Sequence, residues 1–170
     1  MRSAHFNETQ KFRQPWIIVV IFSSIAVWAY IIIYGVFFEE RPDKFSTLSL
    51  IISSLVLAGM TFLLFQLKLE TRIRKEGIYY RFFPLHLKEK HIPRDEVLSY
   101  EVRKYRPIAE YGGWGVRFGG KKHGRAFNVS GNMGLQLYLK DDKKILFGTR
   151  KPHEIGKAME KMMQGLEMEY

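Results

Sequence analysis

Two stretches of this chain contain no Asp, Glu, Lys, Arg or His: Trp16–Phe38 and Ser46–Leu67, of 23 and 22 residues. At about 1.5 Å of rise per residue each makes a helix of roughly 33–35 Å, enough to cross a hydrocarbon core of about 30 Å. The seven residues from Glu39 to Phe45 can join two antiparallel spans and leave no room for a domain between them. The pattern predicts a helical hairpin through a membrane. Ser23, Ser24 and Ala26 on one span, and Ser49, Ser53, Ser54 and Ala58 on the other, permit close helix approach. Trp16 is placed as an aromatic anchor at the boundary. With no ionisable residue in either span, the hairpin reads as an anchor and not as a conduit.

Charge sets the expected orientation. The chain carries +10, with 22 Lys and Arg against 13 Asp and Glu in residues 68–170. Lys11 and Arg13 precede the first span, and Lys68, Arg72, Arg74 and Lys75 follow the second. The connecting loop holds Arg41 and Lys44 against Glu39, Glu40 and Asp43. By the positive-inside rule both termini lie in the cytoplasm and the loop outside. Phe37-Phe38-Glu39-Glu40 after the first run, and a second run beyond, do not suit a signal peptide. There is no cysteine, so neither a disulfide framework nor a zinc–cysteine site can form.

Three regions are expected. Residues 1–15 read as a disordered cytoplasmic lead-in, or as a short interfacial helix using Phe6 and Phe12. Residues 16–67 are the hairpin. Residues 68–170 are one small domain, expected to fold without the rest. There the apolar period changes to two. Leu69, Thr71 and Ile73 alternate with charged neighbours, and strands are also expected at 78–83, 85–91, 98–103, 114–118, 127–129, 135–139 and 143–147. Seven or eight short strands separated by polar turns predict an antiparallel sandwich or barrel. Asp141-Asp142 marks one turn. Thr149 and Pro152 then open a helix whose Ile155, Ala158, Met159, Met162, Met163 and Leu166 share one face. The fold class is α+β, a transmembrane hairpin and a mainly antiparallel domain closed by one amphipathic helix.

The local text adds to this. Arg103-Lys104-Tyr105-Arg106-Pro107-Ile108, Glu110-Tyr111-Gly112-Gly113-Trp114-Gly115-Val116-Arg117, Asn128-Val129-Ser130-Gly131-Asn132, Gly134-Leu135-Gln136-Leu137 and Ile145-Leu146-Phe147-Gly148-Thr149 with Pro152 follow one another in order. The chain resembles small bacterial membrane proteins that carry a pleckstrin-homology-like domain behind a two-helix anchor. That resemblance implies a bacterial cell (inner) membrane location, a fold of strands ending in one helix, and binding of lipid headgroups or protein without catalysis.

Two motifs stand out. Arg117, Lys121, Lys122 and Arg125 surround Gly119-Gly120 and Gly124. A basic, glycine-rich hairpin can hold a phosphate or lie on anionic lipid, where each cation contributes roughly 1 kcal/mol; the plainer reading is a flexible solvated loop. Tyr111-Gly112-Gly113-Trp114-Gly115 reads as a structural motif, a sharp turn into a strand with Trp114 as a core anchor, in preference to a ligand cradle. Arg103 and Lys104 are adjacent on a strand and cannot serve one site. No nucleotide fingerprint, no metal-ligand histidine spacing among the five histidines and no nucleophile elbow is present. The expected catalytic, metal and cofactor sets are therefore empty. A membrane-anchored module binding anionic headgroups, a protein partner or its own copies fits best. An enzyme acting on lipid or a phosphorylated substrate, and a tethered nucleic-acid binder, are the alternatives.

Overall fold

The computed structural model describes residues 5–12, 15–37 and 47–164. The loop at 39–45, Leu166 and the Trp16 side chain lie outside the described parts. The chain divides into two compact units, one of residues 12–66 and one built from the chain on either side of them.

The first unit holds α1 (Pro15–Phe37) and α2 (Thr47–Gln66). Both are long and apolar enough to cross a membrane. Their serines satisfy themselves locally: Ser23, Ser24, Ser53 and Ser54 each donate to the carbonyl four residues back. Trp28 Nε1 donates to Ser54 Oγ at 3.3 Å, a polar bond between two apolar helices.

The second unit has nine strands in two sheets. The first sheet is β1 (Phe6–Lys11), β2 (Lys68–Arg74), β3 (Gly77–Phe83) and β4 (Lys90–Pro93), all antiparallel and in chain order. A 3₁₀ turn at Arg94–Glu96 leads to the second sheet. Its members are β5 (Val97–Lys104), β6 (Gly115–Phe118), β7 (Arg125–Asn128), β8 (Met133–Leu139) and β9 (Lys144–Gly148), ordered β5-β8-β9-β7-β6. Two short helices, α3 (Pro107–Tyr111) and α4 (Gly120–His123), interrupt the strands. The helix α5 (Pro152–Gln164) ends the described chain.

Alternation puts Leu69, Ile73, Ile78 and Phe82 inside from the first sheet and Phe127, Leu135, Leu137 and Phe147 from the second, whose other face buries Ala126 and Leu146 with Tyr105 and Tyr111. The sheets meet at Tyr80, whose ring centroid is 4.9 Å from those of both Phe127 and Phe147. The α5 helix packs against β1, β2, β5 and β8 and buries Ile155, Ala158, Met159 and Met162, the stripe expected from its spacing. Asp141 and Asp142 carry their turn at φ +62° and +55°.

Three expectations need correction. Phe6–Lys11 is neither a disordered lead-in nor an interfacial helix; it is a full strand of the first sheet. The domain therefore does not begin at residue 68. Residues 85–89 form a loop, and the strand expected there is only Lys90–Pro93. Pro84 cannot donate to a ladder, and the leucines that suggested the strand face outward. The mainly antiparallel pairing is as expected, with β7 and β9 the one parallel pair among the described strands. Finally, the sheets are open, and no closed barrel forms among the described residues.

Candidate membrane-facing surface

The strands β6 and β7 form a two-stranded ribbon in which Val116 opposes Phe127, Arg117 opposes Ala126 and Phe118 opposes Arg125. Its connection, Gly119–Gly124, is one turn of helix and not an open hairpin. The neck is closed by Gly119 N–H on Gly124 O at 2.8 Å and Gly124 N–H on Gly120 O at 2.9 Å. Only glycine fits at 124, where φ is +73° and a Cβ would collide with the Lys144 carbonyl. Lys144 Nζ donates to Lys122 O at 3.2 Å, and Tyr111 Oη donates to His123 O at 3.1 Å. The loop is thus held from two sides.

Lys121, Lys122 and Arg125 are exposed, and among the described residues none of the three has an ion-pair partner. Arg117 is not brought together with them. One position along the ribbon puts it on the opposite face from Arg125. Its Nε donates to the Trp114 carbonyl at 3.0 Å. Arg103 is also occupied: Nη2 lies 2.7 Å from Glu110 Oε2 and 3.1 Å from Gln136 Oε1, tying β5 to α3 and β8. Burial disfavours the Glu110 carboxylate, but the Arg103 guanidinium and the Arg106 N–H outweigh it and hold its pKa below the ordinary value. His123 Nδ1 stands 3.5 Å from the same Glu110 oxygen, a pairing across 13 residues that no sequence motif signals.

The Tyr111–Gly115 segment is a helix end. Gly112 adopts φ +72°, and the N–H groups of Gly112 and Gly113 bond the Ile108 and Pro107 carbonyls at 2.9 Å each. The core residue is Tyr111 and not Trp114. The positive-φ glycines swing Trp114 to a half-exposed position, where its Nε1–H finds Gly131 O at 3.1 Å. Lys104, Arg106, Ile108 and Trp114 line an open groove beside this turn.

A second loop adjoins the basic one. After β3 the chain runs through Pro84-Leu85-His86-Leu87-Lys88-Glu89 before β4. His86 turns inward. Its N–H donates to Phe82 O at 2.7 Å, and its ring lies 5.9 Å from Tyr80 and 5.6 Å from Phe127. Burial, followed by the charges of Lys90 and Arg125, holds the His86 pKa below its ordinary value of 6.5. Arg125 also opposes the burial-driven rise of the Tyr80 pKa. Arg125 and the 84–89 loop therefore belong to one neighbourhood. The sequence gives no sign of this, because the contact joins strands of different sheets.

The register fixes where that neighbourhood sits in the unit. Phe83 opposes Lys68, and Lys68 opposes Lys11. Lys68 Nζ lies 5.7 Å from the Phe83 ring centroid and 2.8 Å from Glu70 Oε1. Lys11 and Lys68 are the residues at which the chain leaves and re-enters the strands, respectively. Among the described residues no group of three His, Cys, Asp or Glu side chains is placed to hold a metal. No family of known proteins, no curated protein and no solved structure matches this chain.

Proposed function

We propose that the chain is a membrane-anchored binding module of pleckstrin-homology-like type, seated on the cytoplasmic face of a bacterial inner membrane. The hairpin α1–α2 attaches it, and Lys121, Lys122 and Arg125 rest on anionic lipid headgroups. Two open sheets followed by a single C-terminal helix support the pleckstrin-homology-like reading. The observation that carries the lipid contact is the placement of these three cations. They are exposed and presented on a tied loop, and Arg125 adjoins the 84–89 loop that follows Phe83. Attachment does not depend on the contact, since two spans already hold the unit. The contact orients the domain and leaves its far surface open to a protein partner or a second copy.

The test uses the full chain in nanodiscs, zwitterionic or containing anionic lipid. Amide hydrogen exchange at residues 119–125 is expected to slow when anionic lipid is present. The difference should vanish at high salt, as the Debye length shrinks from about 10 Å at 0.1 M to about 3 Å at 1 M. It should also vanish in the Lys121→Gln, Lys122→Gln, Arg125→Gln triple variant. Equal exchange in both lipids at low salt would refute the contact.

A further inference from the structure

We propose that the 84–89 loop is a second, apolar membrane contact, with Leu85 and Leu87 dipping into the interface of the leaflet to which the domain is anchored. The inference deepens the reading above and rests on it. It adds an insertion where that reading has only an electrostatic contact.

Chain direction carries the first part. Only Leu67 separates the end of α2 from Lys68, so Lys68 lies at most roughly 7 Å along the chain from the last residue of the span. The strand β2 runs from Lys68 out to Arg74, and β3 returns until Phe83 is level with Lys68. After Phe83 the chain turns at Pro84–Leu85, with the His86 N–H on the Phe82 carbonyl at 2.7 Å, so the 84–89 loop starts at the row where the chain enters the folded unit. Lys11, in the same row, leads into α1 after three residues. Both connections to the apolar helices therefore leave from this one row.

Exposure carries the second part. Leu87 is 73% exposed and Leu85 65%, a pair of large apolar side chains at the tip of a six-residue loop. Nothing among the described residues of the unit covers them. His86 between them is pinned against Tyr80 and Phe127, which fixes the loop and turns both leucines outward. Phe118, 68% exposed, stands opposite Arg125 in the neighbouring ribbon. Lys88 lies in the loop and Lys90 and Arg125 act on its His86, cations that suit phosphate-bearing headgroups, while the loop's Glu89 is paired with Arg72 at 3.4 Å. A bilayer supplies both chemistries at once, with headgroup layers some 5–7 Å deep over the hydrocarbon. An apolar groove on another protein would match the leucines but not the cations beside them.

Leu98 provides the control. It is 63% exposed, much as Leu85 is, but it follows the 3₁₀ turn whose Arg94 N–H bonds Glu76 O, at the end of β2 and β3 away from Phe83. The chain has no native cysteine, so single cysteines can be placed at 85, 87 and 98 and labelled with an environment-sensitive fluorophore. The full-length variants are reconstituted in vesicles of mixed zwitterionic and anionic lipid containing a headgroup-depth nitroxide lipid. Labels at 85 and 87 should be blue-shifted and quenched several-fold more than the label at 98. Equal quenching at all three positions would overturn the inference. Resistance to an alkaline wash reports the hairpin anchor separately. Unquenched labels on a retained chain sink the loop contact alone, whereas a chain that washes off sinks the anchored reading with it. Quenching at 85 and 87 that persists in the triple glutamine variant would support the insertion while removing the cation contact.

Discussion

His86 is the residue on which the candidate surface turns. A histidine between two leucines in an apparent strand looks unremarkable, yet its ring closes the gap between β3 and β7. Burial and two cations keep it neutral to lower pH than a free histidine. The sign follows from linkage. As pH falls below 6.5 the unfolded chain takes up its proton first, so His86 withdraws stability until pH passes its lower folded value. Arg125→Gln should raise the folded His86 pKa part of the way toward 6.5, because burial remains. Lys75→Gln, at the far β2–β3 turn, should leave it unchanged. Histidine-selective NMR titration of the full chain in nanodiscs measures both. An unshifted His86 in the Arg125 variant would separate the two loops.

At the scale of elements, β1 shows what period-two reading cannot see. Its inward residues are Phe6, Glu8 and Gln10, so the usual apolar-in pattern is absent. The polar pair is buried because it has partners. Glu8 accepts from Thr149 Oγ1 at 2.6 Å and from Arg150 N–H at 2.9 Å, and Gln10 Nε2 donates to Gly148 O at 2.7 Å. These bonds join the first strand to the start of α5, across about 140 residues that no local pattern spans. Thr149, expected as a helix cap, accepts the Lys151 N–H at 3.0 Å while donating to Glu8. Glu8→Ala should destabilise the domain by about 1–3 kcal/mol, since it orphans buried donors. Glu8→Gln, which can still accept, should lose less. Denaturant melts of the full chain in detergent would show it, and equal stability for wild type and Glu8→Ala would mean that β1 does not dock. Strands rich in Leu, Ile and Phe were legible because burial and alternation agree in them. Residues 85–87 misled for the converse reason: alternation shows that two faces differ, and does not say which is inside. The parallel β7–β9 pairing is non-local and left no trace in either strand's text.

For the whole molecule, the two long apolar helices were the most legible feature, because uncharged runs of that length stand out in the sequence itself. The domain's discontinuity was not legible. The spans are inserted between β1 and β2, two strands paired along their whole length from Phe6–Ile73 to Lys11–Lys68. An insertion at that point places both span connections at one end of one sheet. The leucine tip and the His86 contact lie at the same end, and Arg125 of the basic ribbon adjoins them. On the proposed reading, orientation decides whether this end meets an anionic leaflet. Cysteines introduced singly at Asp43 and Asp142 can be probed with a membrane-impermeant maleimide on intact bacterial cells producing the chain. Position 43 should react from outside, and position 142 only after permeabilisation. Labelling at 142 and not at 43 would put the folded unit on the wrong side of the membrane and contradict the proposed function.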